Sequence, residues 1–112
     1  SDLRDVGLGL FEGTLVIDAT AIEVDTGNEL YSIEVQGSSS SSFASGVVVL
    51  GERQLGDSSV TGSSADDAAG RYTLPFTNRD VDGTTYRYLR VYTRVAGTIA
   101  TGINYSAFVA VR

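Results

Sequence analysis

Apolar side chains fall at every second position along most of this chain, and a period of two commits it to β-strands. In Glu29–Gln36, Tyr31, Ile33 and Val35 share one face while Ser32, Glu34 and Gln36 take the other. Arg71–Phe76 sets Tyr72, Leu74 and Phe76 against Arg71, Thr73 and Pro75. Arg87–Val95 places Leu89, Val91 and Val95 opposite Tyr88, Arg90, Tyr92 and Arg94. Near the C-terminus, Ile103, Tyr105, Ala107, Val109 and Val111 alternate with Asn104, Ser106, Phe108 and Ala110. Gly46–Leu50 is a continuous apolar run, the pattern of a strand covered on both faces. Thr14–Asp18 and Ala21–Asp25 read as two further short strands.

Turn signals separate these runs: Thr26-Gly27-Asn28, the serine run Ser38–Ser42, Gly56-Asp57-Ser58, Gly62–Gly70, Asn78–Gly83 and Ala96-Gly97. About a third of the residues are Gly, Ser or Thr, which suits strands and turns and disfavours helices. The best helical stretch is Ser64–Ala69, one or two turns at most. A chain of 112 residues is one domain's worth. The expectation is a single-domain all-β sandwich of seven or eight antiparallel strands, with long connections favouring Greek-key or jelly-roll wiring. Pro75 cannot donate to a ladder, so its strand belongs at a sheet edge or carries a bulge.

Residues 1–13 stand apart as an N-terminal arm ahead of a sandwich at 14–112. Leu3, Val6, Leu8, Leu10 and Phe11 are jointed there by Gly7, Gly9 and Gly13. Apolar content of this kind has two uses: a strand that tucks into the sandwich, or an arm that reaches onto a neighbouring subunit. Different parts of the arm can serve each.

What the chain lacks narrows its chemistry. It has no Cys, His, Met or Trp. Without cysteine there is no disulfide framework, thiolate zinc site or thiol nucleophile. Without histidine, a Ser-His-Asp triad and the commonest general base near neutral pH are gone. The expectation is a protein that is not an enzyme and holds no metal or other cofactor. Net charge is −6, and nine of the acidic residues lie in residues 1–56 beside only Arg4 and Arg53. That balance argues against nucleic acid as a partner. No apolar run reaches 18 residues, so no membrane partner is expected either. No basic start leads into an apolar stretch, so synthesis in a cytoplasm is expected.

Asp80-Val81-Asp82-Gly83 resembles the opening of a calcium loop, but Thr84-Thr85-Tyr86-Arg87-Tyr88 follows without the downstream Glu, so an ordinary interstrand loop is the better reading. The pair Asp66-Asp67 reads as a solvated helix start, and the serine run as a flexible loop tip. The strongest local feature is the stripe Tyr86, Tyr88, Arg90, Tyr92 and Arg94, which one strand would project from a single face. Tyr and Arg are enriched at protein–protein hot spots. Two readings stay open at this point. The stripe is a docking surface, or it is an outer sheet face whose Arg side chains stack on Tyr and pair with the acidic half of the chain.

Arg87-Tyr88-Leu89-Arg90-Val91, then Val95-Ala96-Gly97-Thr98 and Ser106-Ala107-Phe108, resemble the small jelly-roll capsid cement (decoration) proteins of tailed bacteriophages. Leu30–Gln36 with its serine loop and Gly70–Thr77 stand in the matching order, so the resemblance spans residues 28–112. An Arg-Tyr-Leu-Arg-Val strand also occurs in discoidin-like carbohydrate-binding domains, which are longer and usually carry Trp and closing cysteines. The resemblance implies a structural virion protein on the outer surface of an expanded HK97-type shell. Its partners would be the major capsid protein and its own copies, as a homotrimer or homodimer. The candidate contacts are Leu3, Arg4, Leu8 and Phe11 of the arm with Tyr86, Tyr88, Arg90, Tyr92 and Arg94 of the stripe. The alternative function is a carbohydrate-binding or adhesion module that uses the tyrosines as a sugar platform.

Overall fold

The computed structural model describes residues 3–23, 28–44, 46–56 and 69–111. They form seven strands: β1 (Leu3–Asp5), β2 (Glu12–Ile22), β3 (Leu30–Ser38), β4 (Val48–Gly56), β5 (Gly70–Thr77), β6 (Tyr88–Ala96) and β7 (Ile103–Val111). A four-stranded antiparallel sheet runs β1-β6-β3-β4, and a three-stranded one runs β5-β2-β7. Only β3 and β4 are neighbours both along the chain and in a sheet; every other successive pair is divided between the two sheets. The fold is the all-β sandwich that the alternation implies.

The alternation decides what goes inside. Leu15, Ile17 and Ala19 of β2, Ile33 and Val35 of β3, Tyr72, Leu74 and Phe76 of β5, and Leu89 of β6 form the core between the sheets. Fully burying each Leu, Ile or Phe contributes about 1.5–3 kcal/mol, so this cluster dominates stability. Pro75 lies on β5, an edge strand, where a missing N–H costs no ladder bond.

Two strand assignments need correction. The apolar run Gly46–Leu50 is not a strand covered on both faces. β4 begins at Val48, continues through Glu52 and Gln54, and forms the outer edge of its sheet, with Val49 51% exposed. A bulge explains the misleading run: Val35 pairs with Gly51 and Gln36 with Val49, so Leu50 is the extra residue and breaks the alternation. Thr14–Asp18 and Ala21–Asp25 are likewise not two strands, since β2 is continuous from Glu12 to Ile22. Its register against β7 shifts between Ala19 and Ala21, which offsets the apolar pattern within one strand. The expected helical turn and the Asp66-Asp67 pair lie outside the described residues, apart from Ala69.

Beyond β2 the chain is fastened to the far loop by one carboxylate. Glu23 accepts hydrogen bonds from the backbone N–H groups of Ala100 (2.8 Å), Thr101 (2.7 Å) and Gly102 (2.8 Å), fixing the approach to β7. The Gly102, Ala100 and Thr101 amides hold its carboxyl below the usual carboxylate range. Arg87 does the same for Asp5, Arg71 for Asp18 and the Tyr86 hydroxyl for Asp80. A lowered folded-state pKa means stabilisation that is complete above the unfolded value and lost as pH falls through the folded one. Melting temperature should therefore fall as pH drops from about 6 to about 3. A Glu23→Gln variant should show a shallower fall in a thermal-melt series. An equally steep fall would remove Glu23 from the acid response.

Candidate functional site

Because β6 alternates, Tyr88, Arg90, Tyr92 and Arg94 project together from the outer face of the four-stranded sheet, opposite the buried Leu89. Pairing with β3 sets them beside Ser38, Gln36, Glu34 and Ser32 respectively. These four β3 side chains are polar, face away from the core, and are nevertheless buried, because the long side chains of β6 lie across them.

The result is a connected polar ladder. Arg94 Nε donates to Glu34 Oε2 at 2.8 Å, Gln36 Nε2 donates to Glu34 Oε1 at 2.8 Å, and Arg90 Nε donates to Gln36 Oε1 at 2.8 Å. Glu34 is 3% exposed and its charge is met by Arg94, which keeps a buried carboxylate tolerable. Above this layer sits a second one, of stacked π-systems. The Arg90 and Arg94 guanidinium carbons lie 5.2 and 5.0 Å from the Tyr92 ring centroid, and Arg90 also lies 4.5 Å from the ring of Phe43. Both cations are thus fixed in place through Nε and through their faces. Their terminal amino groups have no hydrogen-bond partner among the described residues, and the Arg94 side chain is 59% exposed.

Phe43 gave no signal in the sequence, where it looks like the end of a serine loop. In the structure that loop is organised by its own hydroxyls: Ser38 Oγ accepts from the Ser40 N–H and Ser40 Oγ from the Ser42 N–H. Phe43 follows with φ of 54°, the left-handed region that a bulky residue rarely enters. The contact with Arg90 is what that conformation delivers.

Tyr86 does not belong to the stripe. β6 begins at Tyr88, and the bend before it turns Tyr86 against Gly37, while its hydroxyl donates to Asp80 at 2.8 Å. Alternation stops where the strand stops, so counting by twos from Arg94 runs one step too far. Asp80 also accepts from the Asp82 and Thr84 amides, so both its oxygens are engaged in closing the loop that the sequence likens to a calcium site. No group of three or more metal-ligating residues occurs among the described residues.

The arm residues go to separate places. Leu3, Arg4 and Asp5 pair with Arg90, Leu89 and Tyr88 as β1, secured by a two-pronged Asp5–Arg87 ion pair at 3.0 Å. Arg4 lies over Phe11 at 5.9 Å, and Phe11 packs on Phe76 with centroids 6.1 Å apart. Glu12 and Gly13 already belong to β2. Leu8 and Leu10 project into solvent, 83% and 59% exposed. The arm therefore divides, with its ends held by the sandwich and the Leu8 and Leu10 side chains between them in solvent. A buried latch missed by sequence reading, Asn78, joins the two: its amide bonds to the backbone of Gly9, Phe11 and Tyr86.

Comparison with family models, curated proteins and solved structures finds no match to the chain.

Proposed function

We propose that this chain is a structural virion protein: it binds the outside of an expanded HK97-type phage capsid and cements neighbouring capsomers, as a homotrimer or homodimer. The motif order given above supports this reading, and so does the fold class it implies. The observation that carries it is the Phe43–Arg90–Tyr92–Arg94 ladder on the outer sheet face, where two cations are held in place with their terminal amino groups unpaired among the described residues. Preorganised guanidinium groups bind carboxylates on a partner surface with little ordering cost. A clamp that binds only the expanded lattice stabilises it by mass action, and several copies in one oligomer add avidity.

The alternative, a sugar platform, is less well supported by the same geometry. Stacking a sugar needs an open aromatic face, and guanidinium groups lie over the rings of Tyr92 and Tyr88.

Co-sedimentation with shells of the same phage's major capsid protein tests the proposal. Saturable binding to expanded shells, and weak binding to unexpanded ones, is expected. Arg94→Ala would strand the buried Glu34 carboxylate, so Arg90→Ala/Arg94→Ala belongs in a Glu34→Gln background, compared with Glu34→Gln alone. The loss should be about 2 kcal/mol or more, roughly 30-fold in affinity. Equal binding by the two proteins would reduce the ladder to solvated surface, and binding to neither form of shell would sink the capsid reading.

A further inference from the structure

Sheet edges are templates for further pairing, and folded proteins blunt them with charge, proline, bulges or brevity. Three of the four edges here are blunted. β1 is three residues long and carries Arg4 and Asp5; β4 carries Glu52, Arg53 and the Leu50 bulge; β5 carries Arg71 and Pro75. The fourth is β7, INYSAFVAV, nine residues without a charge, a proline or a glycine. It pairs with β2 on one side, and among the described residues no strand lies on the other.

The sandwich is also open along that side. β5 packs against β4 at the opposite margin, where the Leu74 methyls come within 3.4 Å of a Cβ built on Gly51. At the β6/β7 margin a groove of about 320 Å³ reaches down to the core residues Leu15, Val35 and Phe76. Val95 and Val111 sit at inward positions of their strands, yet are 55% and 65% exposed. An apolar groove beside an unpaired strand leaves room for a further strand to pack there.

We propose that the missing strand is β7 of a second copy of this chain, paired antiparallel across a two-fold axis at Ala107. A second copy fits because the strand is complementary to itself. Centring on Ala107 sets Phe108 opposite Ser106 of the partner subunit and Tyr105 opposite Val109 of the partner subunit, an aromatic–small and an aromatic–β-branched cross-strand pair. Each monomer carries −6, but β7 itself carries no charge, and the nearby Arg71, 5.7 Å from the Phe108 ring centroid, is ion-paired with Asp18. The product is one six-stranded sheet, β5-β2-β7 continued by its symmetry mate, closed by an isologous interface. It requires nothing of a capsid and selects the dimer among the oligomers considered above.

Sedimentation velocity on the full chain should show a dimer persisting at about 10 μM. Ser106→Lys/Phe108→Lys and Ser106→Glu/Phe108→Glu each place like charges across the axis on exposed positions. Each should remain folded by circular dichroism and self-associate at least ~30-fold more weakly. Mixed one to one, they should form a heterodimer. A wild-type monomer or trimer overturns the proposal, as does undiminished dimerisation of either variant or a mixture of folded variants that stays monomeric. A wild-type monomer that still binds expanded shells would overturn the dimer and leave the capsid reading intact.

Discussion

Gly97→Ala should cost about 3–4 kcal/mol, and Gly56→Ala nearly as much, because both glycines hold backbone rather than side chains. They flank the entry to β3 from its two neighbours: Gly56 ends β4 opposite Leu30, and Gly97 follows Ala96, which pairs with Leu30 from the other side. Gly97 has φ of 93°, and a Cβ there would lie 2.2 Å from the Asn28 carbonyl oxygen. Gly56 has φ of 108°, and its Cβ would lie 2.3 Å from the Glu29 carbonyl oxygen. Positive φ alone costs an L-residue about 1–2 kcal/mol. The clash adds more, since neither carbonyl can retreat without disturbing the start of β3. Each kcal/mol lowers the melting temperature of a domain near this size by roughly 4–8 °C. Gly51→Ala is the control, because the nearest atoms a Cβ there would meet belong to the Leu74 side chain, at 3.4 Å, and it should cost less than about 1 kcal/mol. Comparable melting temperatures for the three variants would show that the Asn28–Leu30 entry is loose.

What the sequence makes legible follows from range. Strands β3, β5, β6 and β7 could be read almost to the residue, because alternation is a local property and each strand keeps one face in the core. Pro75 limited β5 to a sheet edge or a bulged strand, and the edge is the one it occupies. The bulges in β2 and β4 were not legible. One extra residue resets the alternation, and only the partner strand shows which residue is extra. The site divides along the same line. The shared face of Tyr88, Arg90, Tyr92 and Arg94 is strand periodicity, whereas the choice of Glu34 and Gln36 as their partners is cross-strand register, fixed 54 and 60 residues away along the chain. Phe43 reaches Arg90 through a serine turn that the sequence shows only as a polar run.

Asn78 is the furthest of these from local reading, and Asn78→Ala should cost about 3 kcal/mol. The residue follows β5 in a stretch that reads as a turn, yet it is 0% exposed. Its Oδ1 accepts from the Phe11 N–H at 2.8 Å, and its Nδ2 donates to the carbonyls of Gly9 (2.9 Å) and Tyr86 (3.0 Å). Truncation would leave one donor and two acceptors without that partner in a part-buried site, each such loss costing about 1–3 kcal/mol when water cannot substitute. Asn78→Asp separates geometry from charge. The introduced carboxylate can still accept from Phe11, but its second oxygen faces two carbonyls, so at neutral pH it should destabilise at least as much as alanine. Protonation would return one donor, and the deficit relative to wild type should shrink as pH falls. Because two of the three bonds go to the arm, the first readout to change should be amide exchange at Phe11, ahead of the core amides of β2 and β3. Uniform acceleration across the sheets would make Asn78 a core residue of the whole sandwich, and an unchanged Phe11 amide would show that Phe76 and the pairing of β1 with β6 hold the arm without it.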